Sequence, residues 1–514
     1  MQLRLVRSAH RFIRHCLLLA IAIVGAGAIL LTTRAGPQSL EPAPLFVDIQ
    51  ATGNNDGSSW VNAFTSLDAA IAAAQDTGSL WIAQGTYKPA NGNTGFYIDK
   101  RLKLYGGFLG PHDLSDPSYL GELQLQDRRG SYKRTILDGD IGTPVVFNDN
   151  VEHVVTIESV SGVDGKAGVI LDGFRIKSGY ALGVNEDGAG IWCHCSDLDL
   201  ANCYFDHNYA VDGGALWFSS GCPLVPVPEL AELPILKSRL RVQSCEFFDN
   251  HADRYGGAIY GDRLWGWVVN SKFATNLANP YGGAAYIWRV KSGESFDFTN
   301  CVFWENYCTG QSSSLGGALY FDASSSANGD YARSSVVNCT FAGNFVAQCV
   351  NGMAIAVATN AVVGIYNSIL YWNVNLDFNN CGGIPRPIVG NPTVEYCNVE
   401  GGLIGAENLS LDPRFVGGSP PPTSSPGGAN PPFMQIPDLT LIFATSTQAG
   451  STCIDYGDLT RLPQDLADLD DDGNTTEVLP LDLLFSPRRV DRHGFLEDDP
   501  PGFDYLDRGA YERP

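Results

Sequence analysis

Between residues 203 and 373 the chain repeats one phrase six times, and that repetition constrains the fold more than any other feature. The phrase begins at Cys203 with Phe205 and Asn208 and continues to Gly213, Gly214, Ala215, Leu216 and Trp217. It returns at Cys245, Phe247, Asn250 with Gly256, Gly257 and Tyr260, and at Ser271, Phe273, Asn276 with Gly282, Gly283 and Tyr286. A fourth copy has Cys301, Phe303, Asn306 with Gly316, Gly317 and Tyr320; weaker copies run from Cys339 to Asn344 and from Asn367 to Asn373. Successive Phe residues (205, 247, 273, 303, 341) lie 42, 26, 30 and 38 residues apart. A fixed phrase at a variable period describes a solenoid whose coil is constant and whose excursions vary.

Each part of the phrase has a role in such a coil. Residues two apart share one face of a strand, so Cys and Phe both point inward. Coils stacked about 4.8 Å apart put like over like, giving internal columns of Cys and Phe. Asn tolerates left-handed backbone, and its amide can bond the turns above and below, so an Asn column forms at the corner. The Gly pair opens the next corner. The sequence therefore predicts an all-β, right-handed parallel β-helix. Insertions at 222–234, 309–314 and 323–330 are rich in Pro, Ser, Gly and Asn, as loops leaving a coil corner would be.

An amphipathic spacing of Leu67, Ala70, Ile71 and Ala74 predicts a short helix, with Thr65 to Asp68 as a capping box and Leu80 to Ile82 as the next strand. This helix would cover the first coil and shield its open edge. The expected organisation is a signal segment over 1–35, an N-terminal cap and first coils over 44–135 and β-helix repeats over 136–416. A Pro/Gly-rich loop over 417–435 and terminal coils with an irregular cap over 436–514 complete it.

Arg4, Arg7, Arg11 and Arg14 precede an apolar run from Cys16 to Leu31, and Thr33 to Ala35 are small residues around Arg34. That order reads as an export signal. Removing 1–35 takes five arginines and no acids, leaving 33 − 5 = 28 basic against 56 acidic residues. So acidic a chain is excluded as a nucleic-acid binder, which needs cations for phosphate. Twelve of the 13 cysteines remain, an even number compatible with disulfides outside the cell. Cys308 and Cys349, just past the Asn of neighbouring coils, are the expected pair; Cys193 and Cys195 alternate on a strand and are expected to share a face.

The stretch Leu45 to Asp48, Asn55 to Trp60, Ala63 to Ala70 and Leu80 to Tyr87, with Thr135 to Asp140 and Leu171 to Phe174, resembles exported bacterial right-handed parallel β-helix proteins of the pectin-lyase-like class. The Phe-x-x-Asn and Gly-Gly-Ala pieces resemble the repeats of polymorphic outer-membrane proteins. Cys453 to Gly457, Leu469 to Glu477, Pro487 to Arg489 and Asp507 to Glu512 resemble the choice-of-anchor Q domain. The resemblance implies the fold strongly and function weakly, since lyases, hydrolases, adhesins and wall binders share this fold. Arg175 to Lys177 resembles a short motif of β-helix polygalacturonases, but their other signatures are missing, and the tripeptide reads as an ordinary strand.

Three sets of residues carry candidate chemistry. Asp468, Asp470, Asp472 and Asn474, with Gly473 at the turn and Glu477 beyond, have the alternating spacing of a structural Ca2+ loop. His207, Asp249, Thr275 and Glu305 occupy one position of successive repeats and would form an outward polar stripe near Asp206, His251 and Asp253. Acid/base work on a polysaccharide is the weak catalytic reading of that stripe. Trp217, Tyr260, Tyr286 and Tyr320 share the third position after the Gly pair and, if Leu216, Ile259, Ala285 and Leu319 face inward, make an external ladder suited to sugar rings. The expected protein is monomeric and secreted or at the cell surface. It is non-catalytic and binds an extracellular polysaccharide or cell-surface glycan, with a polysaccharide lyase or glycoside hydrolase as the alternative. No membrane span beyond the signal is expected.

Overall fold

The computed structural model describes residues 42–90, 94–112, 118–144, 146–160, 168–182, 187–220, 238–291, 293–310, 314–322, 332–347, 352–375 and 386–416. It also describes 439, 441, 451, 453, 457–469, 474–479, 481–483 and 509–510. The export-type segment and the insertions 222–234 and 323–330 lie outside them. Residues 44–514 form one unit.

The described strands lie in four parallel sheets of 11, 10, 7 and 9 strands, here I, II, III and IV. One turn shows the course: Leu198–Ala201 in I, Tyr204–Asp206 in II, Tyr209–Asp212 in III and Leu216–Ser219 in IV. The chain then re-enters I at Leu240–Gln243, in register with Leu198–Ala201. The fold is a right-handed parallel β-helix.

Residues of the repeated phrase pile up as their periodicity requires. Phe205, Phe247, Phe273, Phe303 and Phe341 are successive register partners. Their rings stack at 4.8, 4.7, 4.9 and 4.5 Å in a fully buried column. Beside it Cys203, Cys245, Ser271, Cys301, Cys339, Ser368 and Cys397 form a second buried column, its cysteines all in the thiol form. At the next corner the Asn208 amide donates to Asn250 Oδ1 at 3.0 Å. The relay continues through Asn276, Asn306, Asn344 and Asn373 at 3.0, 2.9, 3.0 and 2.9 Å. The first Gly of each pair has φ between 61° and 69°. A Cβ at Gly256 would sit 2.1 Å from the Ile259 carbonyl oxygen, so a side chain there clashes with backbone.

The helix is Leu67–Ala73, and it packs Leu67, Ala70 and Ile71 onto the first coil. Its cap differs from the expected box: Ser66, not Thr65, accepts from Ala69 N, and the Asp68 carboxylate instead accepts from Ala90 N at 3.1 Å. No helix among the described residues is long and apolar enough to cross a membrane.

The largest difference lies at the C-terminus. The described residues after 436 carry isolated bridges rather than coil strands, and they run back along the outside of the solenoid. A second Asn column, at the corner between I and II, holds them. Asn367 donates to Asp458 O at 2.9 Å, Asn300 to Leu481 O at 2.8 Å and Asn270 to Asp482 O at 3.1 Å. Ala510 N donates to Thr340 Oγ1. Leu439, Leu441, Leu483 and Ala510 cover an outward apolar stripe of sheet II that includes Phe248, Val302, Trp304 and Ile369. This segment is a lateral strap.

Candidate functional site

Sheet IV carries the most organised outer face. Its strands put Leu216, Ile259, Ala285 and Leu319 in the core, so strand parity turns Trp217, Tyr260, Tyr286 and Tyr320 outward. Trp192 of the preceding coil, which sequence reasoning missed, extends the row. The rings are nearly parallel, with centroids 5.5, 6.4, 5.5 and 5.3 Å apart from Trp192 to Tyr320. They are not equally open. Tyr260 and Tyr286 are only 6 % and 4 % exposed, whereas Trp192, Trp217 and Tyr320 are half-buried. Tyr255 and Tyr281, at the corner before the Gly pairs, stack on Tyr286 and Tyr320 at 4.6 and 4.8 Å.

Two residues further along each strand lies a polar row. Glu158, His194, Ser219 and Asp262 are register partners, and a register shift beyond Gly261 brings Arg289 opposite Asp262. Arg289 then pairs with both Asp262 oxygens, at 2.7 and 2.9 Å. The Tyr97 hydroxyl donates to Glu158 at 3.1 Å, and the Tyr286 hydroxyl donates to Asp322. His194 sits 5.4 Å from the Trp192 ring and 6.1 Å from the Trp217 ring. The alternating residue types of Ile191–His194 and Leu216–Ser219 could have revealed this row. The register shift that recruits Arg289 has no sequence mark.

The expected polar stripe also assembles as a column. His207, Asp249, Thr275 and Glu305 occupy one left-handed corner, with φ of 55°, 53°, 54° and 49°. His207 Nδ1 lies 2.8 Å from Asp206 Oδ2, and its Nε2 lies 3.4 Å from Asp249 Oδ2. Arg175 grips Asp206 through two bonds of 2.7 and 2.6 Å, and Lys177 pairs with Asp138 at 2.9 Å, so that tripeptide serves as strand and ion-pair lattice. Glu305 stands two coils from Asp249, with Thr275 between them. Burial alone raises the Glu305 carboxyl pKa. His251 and Asp253 follow on sheet III, where the His251 ring stacks on Tyr209 at 4.1 Å and its Nε2 lies 3.5 Å from Asp253.

The hydrogen bond that the His207 ring donates to Asp206 raises the His207 pKa, with the Asp206 and Asp249 charges adding to it against burial and Arg175. Burial pushes Asp206 upward, but its bonds to Arg175 and His207 prevail and hold it below the usual carboxylate range. A raised imidazole stabilises the fold fully below the ordinary histidine value of about 6.5, and this is lost as pH rises through the folded-state value. Urea unfolding of His207→Gln across that window is therefore expected to lack a pH-dependent loss that the parent protein has. Parallel profiles would refute the coupling.

Of the calcium candidates, Asp470 and Asp472 lie outside the described residues. Asn474 and Glu477 meet at 3.3 Å, and the buried Asp465 accepts from Leu469 N at 2.8 Å, while its carbonyl accepts from Asp468 N. The cysteine expectations need correction. Cys308 follows the outward Tyr307 and so points inward with Ala278 and Val346, as a free buried thiol; Cys349 lies outside the described residues. Cys193 is free in the core, whereas Cys195 sits past the strand end at φ 51° and is disulfide-bonded, so the two do not share a face.

Residues 244–262, one copy of the phrase, match the Chlamydia polymorphic membrane protein repeat. No curated protein matches the sequence. Among solved structures, the chain is similar to a pectin methylesterase from Aspergillus niger at 13 % identity and TM-score 0.30, over 74 % of this chain and 92 % of that one. It is also similar to a pectate lyase at 12 % identity and TM-score 0.35, over 92 % and 97 %.

Proposed function

We propose that this is a non-catalytic protein of the cell exterior, secreted or surface-held, that binds glycan chains along the outer face of sheet IV. The observation that carries the reading is two rows on one sheet, aromatic from Trp192 to Tyr320 and polar from Glu158 to Arg289, in register over successive coils. Each coil advances about 4.8 Å, close to the length of one pyranose ring. Half-buried rings offer apolar contact to sugar C–H faces, and carboxylate, imidazole and hydroxyl groups beside them take sugar hydroxyls. The repeat at 244–262, together with the basic and apolar opening of the chain, supports an exterior location. The column of His207, Asp249 and Glu305 argues less well for hydrolysis, because Thr275 separates its carboxylates and Asp206 is tied to Arg175.

The test is a glycan array with residues 36–514, followed by titration of whatever is retained. Replacing Trp192 and Trp217 together by Ala is expected to weaken binding about tenfold or more, roughly 1.4 kcal/mol. Val362→Ala, on the exposed face of sheet I, is expected to leave it unchanged. No retained glycan, or equal retention by the double variant, would refute the proposal. Release of reducing ends that vanishes in Glu305→Gln would replace it with the hydrolase reading.

A further inference from the structure

We infer that the glycan received by this face is uncharged, an inference that rests on the binding reading above and names its substrate class. Recognition of uronate or sulfate needs a cation free to form charge-assisted bonds, most often an arginine fork. Among the described residues two arginines pack on the aromatic rows. Arg289 lies 3.8 Å from the Trp288 ring centroid, and Trp288 packs on Tyr260; Arg254 lies over Tyr255, which stacks on Tyr286. Both forks are already engaged. Arg289 is held by both oxygens of Asp262, with its side chain only 12 % exposed, and Arg254, though its side chain is 51 % exposed, by both oxygens of Asp212.

The acids around the same rows outnumber these cations. Glu158, Asp187, Asp212, Asp262 and Asp322 stand against Arg254, Arg263 and Arg289, an excess of 5 − 3 = 2 negative charges before the ligand arrives. To bind a polyanion, the face would have to bring its charge against these carboxylates, and drawing Arg289 away to meet it would leave the mostly buried Asp262 uncompensated. Residues 36–514 as a whole add to the repulsion, with a net charge of 28 − 56 = −28. What the face does present suits neutral sugars: the edges of the Trp192, Trp217 and Tyr320 rings, the His194 imidazole, and the Glu158 and Asp322 carboxylates, which accept from sugar O–H groups.

Affinity electrophoresis of residues 36–514 through gels containing mixed-linkage glucan, xyloglucan or galactomannan, and through gels containing polygalacturonate or alginate, tests this directly. The expected result is retardation in a neutral gel, insensitive to salt and lost in the Trp192→Ala, Trp217→Ala variant, with at least about tenfold weaker retention by either polyuronate. Retention by polygalacturonate or alginate that weakens with salt and is lost in the same variant overturns the inference while leaving glycan binding in place. Absence of retardation in every gel overturns the binding reading as well.

Discussion

Asn276→Ala is expected to lower the free energy of unfolding by about 2–6 kcal/mol, one of the largest effects of any single substitution in the coil. The side chain links three turns. Its Nδ2 donates to Asn306 Oδ1 at 2.9 Å and to Phe247 O at 3.0 Å. Its Oδ1 accepts from the Asn250 backbone N at 3.1 Å and from Asn250 Nδ2 at 3.0 Å. None of these groups can turn to water, because Asn250, Asn276 and Asn306 are fully buried. Truncation leaves the Asn250 amide and the Phe247 carbonyl without these partners, and each buried unmet group costs about 1–3 kcal/mol. Asn373, at the end of the relay, is the internal comparison: it accepts from Asn344, but its own Nδ2 donates to the Phe341 and Tyr371 carbonyls rather than to a further side-chain amide. Urea unfolding should therefore place Asn373→Ala clearly between Asn276→Ala and the parent. If both variants unfold at the same midpoint, the relay is not cooperative and the column is mere turn chemistry.

The contrast between these two asparagines indicates what a sequence like this makes legible. Phe205, Cys203 and Asn208 could be read because each recurs at one place in the coil, and stacking converts recurrence into contact. The outward parity of Trp217, Tyr260, Tyr286 and Tyr320 followed from the same alternation. Features that depend on one coil differing from the next were not legible. Arg289 reaches Asp262 only because a local irregularity shifts the register. The aromatic row of sheet III, where Tyr307 stacks on Phe345 at 4.8 Å, begins one residue past each Asn, where the phrase itself marks only a corner. The same corner hides the inward turn of Cys308, because the residue after an outward Tyr points in. Nothing in the residues around Asn270, Asn300 and Asn367 announces that a distant segment docks on them.

Deleting residues 417–514 is expected to produce a dye-binding, aggregation-prone species. The deletion removes the strap and uncovers the outer stripe of sheet II, in which Phe248, Val302, Trp304 and Ile369 are 4 %, 0 %, 6 % and 1 % exposed with the strap in place. Burying a side chain of this size contributes about 1.5–3 kcal/mol, so four represent roughly 6–12 kcal/mol before the entropy of the released chain is counted. The strap also satisfies the side-chain amides of Asn270, Asn300 and Asn367. A contiguous apolar stripe left open on a parallel sheet is a template for association. Leu483→Asp tests the same contact without deletion, because Leu483 is 5 % exposed within that cluster. It should lower the unfolding midpoint and raise binding of a hydrophobic dye, while the deletion adds oligomers in size-exclusion chromatography. A truncated chain that elutes as a monomer, binds no dye and unfolds with the parent's midpoint would show that the coil is self-sufficient and that the strap serves some end other than closing its side.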